Sequence, residues 1–156
     1  MHIAIVSPTF DKEKYSLSTN AITAYTSHLV HALPLDPTDA VTILTTFSRG
    51  QNSSLSQLES AHRVVPIQRC FASSSLGLLQ LLHSIIRTRP HVTHLQHETF
   101  LYGGSLSILL FPIVVWVMRL FTRPFVTLHH VVHPGTINTA FTRMQRSRLP
   151  PAVIRL

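Results

Sequence analysis

Short runs of β-branched and apolar residues alternate along this chain with longer stretches of helical periodicity, and that alternation narrows the possible folds more than any other feature. Residues 2–7 read His-Ile-Ala-Ile-Val-Ser without apolar-polar alternation, the pattern of a strand covered on both faces, and Pro8 stops it. Ser18, Thr19 and Asn20 can cap a helix whose apolar residues Ile22, Tyr25, Leu29 and Leu33 recur at helical spacing until Pro34. Further strands are expected at 41–46, after the turn-forming residues 36–39, then briefly at 64–67, at 91–96 and at 125–130. Leu76, Leu79, Leu82, His83 and Ile86 form a helical stripe that ends before Pro90, and residues 105–121 read as a very apolar helix. The Ser-, Asn- and Gln-rich residues 48–60 predict a surface loop with at most a short helix. Pro66 predicts an edge position or an early end for the third strand. Strand, helix, strand at this spacing implies an α/β fold, a doubly wound parallel sheet.

The chain has 156 residues, 45% of them hydrophobic, which is enough to bury one core and argues against disorder. Charge is uneven. Residues 1–60 hold three basic side chains against five acidic ones, whereas residues 61–156 hold ten Arg against Glu98 alone. The basic half favours an anionic partner, whether nucleic acid, an acidic membrane surface or a phosphorylated sugar carrier. Nucleic acid is not the expected partner, because Arg143, Arg146 and Arg148 have only Phe141 nearby and no binding module surrounds them. One cysteine, Cys70, excludes an internal disulfide and reads as a small apolar side chain in a reducing compartment. The start is too quickly polar for a signal peptide, so a cytoplasmic location is expected.

Residues 106–118 are apolar, with Pro112 inside and Arg119 directly after. Thirteen residues fall short of the roughly 20 that span a bilayer. The first reading is a helix buried under the sheet, and the second an interfacial contact in which Arg119 and Arg123 engage anionic lipid beside Trp116 and Phe121. The latter would place the chain peripherally at the inner membrane face.

Eleven histidines include trios at His91, His94, His97 and at His129, His130, His133. On a strand His94 faces away from His91 and His97, no carboxylate or Cys cluster assists, and no zinc spacing is present, so no metal is expected. His2, His28, His31, His62 and His83 read as surface or core-edge residues. In open parallel sheets ligands bind at the carboxyl ends of strands, where His97 and Glu98 follow the fourth strand and His129 and His130 end the fifth. These are expected to converge on one crevice. Glu98 is there either to pair with an Arg or to grip hydroxyls. An unrelated nucleotide binder is less favoured, since Ser7-Pro8-Thr9-Phe10 replaces the GxGxxG that would follow the first strand.

The segment Leu95-Gln96-His97-Glu98-Thr99-Phe100-Leu101-Tyr102-Gly103-Gly104 resembles the LQHE-x4-GG stretch of glycosyltransferase family 4. Pro124-Phe125-Val126-Thr127-Leu128-His129 is similar to that family's P-x-V-x-T-x-H segment, and residues 3–8 and 22–29 are similar to its first strand and helix. The resemblance covers residues 1 to 135 and implies the Rossmann-like amino-terminal, acceptor-side domain of a GT-B architecture. Residues 136–156 then read as a linker-like tail, with the carboxyl-terminal donor domain absent.

The implied activity is retaining, metal-independent transfer of a sugar from a nucleotide-sugar donor, which acts as substrate, so no cofactor is implied. Carried over residue by residue, His129 would be catalytic, near the transferred sugar, while His97, Glu98, Gly103, Gly104 and His130 would line the acceptor side. Asn20 and Ala21 stand where the family has Gly-Gly at the phosphate loop, and His130 where Thr is common. The implied partners are a donor domain or subunit and a sugar or lipid-linked acceptor, with the single domain inactive by itself. The alternative is a non-catalytic membrane-surface or partner-binding module.

Overall fold

The computed structural model describes residues 1–8, 21–47, 56–60, 63–97, 102, 105–129 and 139. Six strands and three helices follow one another as β1 (His2–Val6), α1 (Ala21–Ala32), β2 (Ala40–Thr46), β3 (Ser56–Ser60), β4 (Arg63–Phe71), α2 (Ser75–Thr88), β5 (Val92–His97), α3 (Ser105–Met118) and β6 (Arg123–Leu128). They form one sheet in the order β3-β4-β2-β1-β5-β6. Five strands are mutually parallel, and β3 adds antiparallel to β4. The expected α/β sheet is therefore present.

Its two faces carry separate cores. Side chains alternate along a strand, so Ile3 and Ile5 join Val30, Val41, Ile43, Val65 and Ile67 beneath α1. Ala4 and Val6 join Leu44, Leu95, Leu78, Leu81, Ile85, Phe111 and Met118 beneath α2 and α3. Helices on both faces make the sheet doubly wound. The β1–α1–β2 connection moves outward in one direction and α2 carries the chain back past β1 to β5, which leaves the topological switch between β1 and β5.

Two expectations need correction. Part of the presumed loop is β3, whose polar sequence forms a strand through its pairing, Gln57 opposite Pro66 and Leu58 opposite Val65, with Leu58 buried. Its partner β4 is longer than expected and lies inside the sheet. Pro66 is tolerated there because the pairing of β2 with β4 begins one residue later, at Ile43 and Ile67, so the missing N–H breaks no bond in that ladder.

The helices follow from local chemistry. Ser74 caps α2, its hydroxyl accepting the Gly77 N–H at 3.2 Å. Arg89 ends the helix in the left-handed region at φ 43°, its N–H donating to the Ile85 carbonyl at 2.8 Å. Gly77 is required by close packing, since a Cβ there would meet the Ala72 carbonyl oxygen at 1.7 Å.

The helix α3 departs from its first reading. Ser107, Phe111, Val114 and Met118 are buried, but Leu106, Leu109, Ile113 and Trp116 form the opposite, exposed stripe. It packs against α2 as an outer layer rather than lying fully beneath the sheet. No helix among the described residues is long and apolar enough to cross a membrane.

Candidate functional site

The carboxyl ends of β1, β5 and β6 share one rim of the sheet, at the switch point where open α/β sheets take ligands. Ser7 directly follows β1, and its N–H donates to the Leu44 carbonyl at 2.9 Å. His97 closes β5, and His129 follows β6, its N–H donating to the His97 carbonyl at 2.9 Å.

A buried polar chain lies at this rim. Gln96 Nε2 donates to Thr26 Oγ1 at 2.7 Å, and that hydroxyl is 2.8 Å from both Ser7 Oγ and the Ile22 carbonyl. Ser7, Thr26 and Gln96 are fully buried. A hydroxyl has one proton, so all contacts are satisfied together when Thr26 donates to the carbonyl and receives from Gln96 and Ser7. Gln96 Oε1 is left without a partner, a buried acceptor that any bound donor would relieve.

Beside it, on the α1 face, stand two histidines. His94 Nε2 is 2.7 Å from Thr127 Oγ1, which places Thr127 and, by alternation, His129 on this same face. Tyr25 of α1 meets the His129 ring edge-on at 4.8 Å between centroids and approaches His94 at 6.5 Å. His94 Nδ1 and His129 Nε2 are buried and unpartnered. Burial, then the neighbouring His129, lowers the His94 pKa, so its ring is held neutral and can donate or accept at a single nitrogen. A groove of about 370 Å³ opens next to these residues, lined by Tyr25, Leu29, Val92, His94, Phe125 and Thr127 among others.

His97 lies on the other face. Its ring stacks on Phe111 at 4.1 Å and on Tyr102 at 5.9 Å, and burial lowers its pKa. Tyr102 is itself buried and donates to the Gln96 carbonyl at 2.8 Å. Of the expected site residues, His97 and His129 are thus joined through their backbones while their rings occupy opposite faces of the sheet. They share a rim, but their side chains do not converge. Ala21 begins α1. Asn20, Glu98, Gly103, Gly104 and His130 lie outside the described residues.

Among the described residues no group of three or more His, Cys, Asp or Glu is arranged to hold a metal ion. Comparison with protein-family models, with curated proteins and with solved structures finds no match to this chain.

Sequence reasoning missed Ser7, Thr26, Gln96, Tyr25 and Thr127 as site residues. A signal was available for some of them. Gln96 interrupts a strand otherwise expected to be buried, and Thr23, Thr26 and Ser27 place hydroxyls and a serine along the buried face of α1. Polar residues at positions that must be buried imply partners.

Proposed function

We propose that this chain is the acceptor-side half of a retaining glycosyltransferase that moves a sugar from a nucleotide-sugar donor to a hydroxyl acceptor. One observation carries the reading. The described parts of the two segments that resemble glycosyltransferase family 4, Leu95–His97 and Pro124–His129, lie at the carboxyl ends of the adjacent parallel strands β5 and β6, on one rim beside the end of β1, with His129 N–H bonded to the His97 carbonyl at 2.9 Å.

In the transfer the bond from the anomeric carbon to the diphosphate breaks, a bond from the acceptor oxygen forms on the same face, and the acceptor hydroxyl gives its proton to the departing nucleoside diphosphate. Positive charge develops at the sugar meanwhile. His129, with an unpartnered buried Nε2 and a ring fixed by Tyr25, would contact the transferred sugar or its acceptor. Gln96 Oε1 offers an acceptor for a hydroxyl at the same rim. His97, stacked on Phe111, would shape the rim from behind rather than touch substrate. A donor-binding domain must face this rim, because one half cannot exclude water or hold both reactants. A second reading, a surface-binding module without catalysis, rests on the exposed stripe of α3.

The test is sugar-nucleotide turnover by the purified chain, alone and mixed with a carboxyl-terminal glycosyltransferase donor domain, with His129→Ala as control. Turnover in the mixture that falls at least about a hundredfold in His129→Ala supports the proposal. Absence of turnover with a donor domain that works with another partner overturns it.

A further inference from the structure

A helix that is apolar all round normally has an apolar environment all round. The helix α3 does not. Its sequence from Ser105 to Met118 contains no charged residue, and its inner stripe is covered by the sheet and by α2. Its outer stripe, Leu106, Leu109, Ile113 and Trp116, faces solvent, with Trp116 65% exposed. The stripe continues beyond the helix at Leu120, 71% exposed. On the neighbouring α2, Leu76 and Leu79 are exposed as well. These side chains lie on two helices packed side by side, so they form one surface.

The charged side chains of α2, of the turn after α3 and of the start of β6 have a single sign. α2 and α3 both end at the amino-terminal rim of the sheet, and there Arg87, Arg89, Arg119 and Arg123 are exposed. Arg123 N–H bonds the His91 carbonyl at 3.1 Å, which ties the start of β6 to the start of β5 at that rim. Residues 61–156 include ten Arg and one acid, Glu98. Part of this pattern serves the helices, since cations stabilise a helix carboxyl end. That role asks for one cation per helix, not four along a rim beside exposed Trp and Leu.

We infer that the outer face of the α2–α3 layer docks on an anionic lipid bilayer. Leu106, Leu109, Ile113 and Trp116 enter the interface, and Arg87, Arg89, Arg119 and Arg123 meet lipid phosphates. The contact is interfacial: fourteen residues rise about 21 Å, against about 30 Å of hydrocarbon. The opposite rim, carrying Ser7, His97 and His129, lies away from the arginines. This inference stands on α2 and α3 alone and holds whether or not the chain takes part in sugar transfer.

Trp116 is the only tryptophan, so it reports on this face without labelling. The experiment mixes the purified chain with phosphatidylcholine vesicles or mixed phosphatidylcholine–phosphatidylglycerol vesicles, following flotation, Trp116 emission and quenching by bromine-labelled lipid. The expected result is flotation at least about tenfold stronger with the anionic vesicles, weakened by salt, with blue-shifted and bromine-quenched emission. The variant Arg119→Glu/Arg123→Glu should lose about tenfold or more in binding. The variant Leu109→Gln/Ile113→Gln should abolish the blue shift while its circular dichroism melting curve stays close to that of the parent chain. Unchanged emission with anionic vesicles overturns the inference, as does binding that neither variant weakens. A blue shift that grows with protein concentration in the absence of lipid also overturns it, and assigns the face to contact between copies.

Discussion

Gln96 Nε2 donates to Thr26 Oγ1 across 2.7 Å in a fully buried setting, and this bond locks α1 to the carboxyl end of β5. Tyr102 holds the same residue from the other face through the Gln96 carbonyl. The rim is thereby clamped on both sides of the sheet at one position.

Thr26→Val keeps the shape and removes the acceptor, leaving Gln96 Nε2 buried without a partner. The expected loss is about 1–3 kcal/mol of unfolding free energy. In the double variant Thr26→Val/Gln96→Leu neither polar group remains, and the loss should be smaller than the sum of the two single ones. Urea unfolding of the four chains measures this, and strict additivity would count against the bond.

Gly77→Ala directs a methyl group at the Ala72 carbonyl, 1.7 Å from the Cβ position. The first turn of α2 must move, although alanine is the better helix former. A cost of about 1–3 kcal/mol is expected, readable as a lowered Tm. An unchanged or raised Tm would show that the turn before α2 yields freely.

Acid should destabilise the protein earlier than its few carboxylates imply. His2, His94 and His97 have pKa values lowered from 6.5, in each case first by burial. A group whose folded pKa lies below its unfolded one is more readily protonated in the unfolded chain. Stability is therefore complete above about pH 7.5 and falls as pH drops through 6.5 toward the lowered folded values. Replacing His97 with Phe, which preserves stacking on Phe111, should flatten the slope between pH 6.5 and 5 in pH-dependent chemical unfolding. An equal slope in both chains would remove His97 from this role.

Burial raises the Cys70 thiol pKa, more than the nearby Ser84 hydroxyl lowers it. Little thiolate forms near neutrality, so iodoacetamide should modify the folded chain far more slowly than an unstructured peptide thiol. Modification should accelerate across the unfolding transition. Labelling as fast as in the peptide would mean that β4 opens readily.

The parallel sheet was legible because its strands are covered on both faces and so appear as short β-branched runs, as at Ile3-Ala4-Ile5-Val6. The strand β3 was not, since Ser56, Gln57, Glu59 and Ser60 carry no strand preference and Leu58, which is buried, is its only apolar residue. Of the apolar stripe expected on α1, Tyr25, Leu29 and Leu33 line the groove toward β6, with Leu29 and Leu33 also packed against the core, while Ile22 is buried. The buried face of α1 holds Thr23, Thr26 and Ser27 beside Ile22 and Val30, because the partners there are polar. For the site, the order of segments located the rim, and strand alternation separated His94 from His97. That His97 would stack on Phe111 and Tyr102 depends on where α3 crosses, which no local pattern encodes.

The two margins of the sheet differ, and the difference limits how copies of this chain can add to one another. At one end β3 runs antiparallel to its neighbour, and its sequence, Ser56-Gln57-Leu58-Glu59-Ser60, is polar but for Leu58. At the other, β6 presents exposed Phe125, Val126 and Leu128 along an edge that pairs with no further strand among the described residues. Strand-to-strand growth has a single apolar margin to use, so two copies joined through β6 would each turn a polar border outward. Such growth would halt at a pair and would not propagate into a filament.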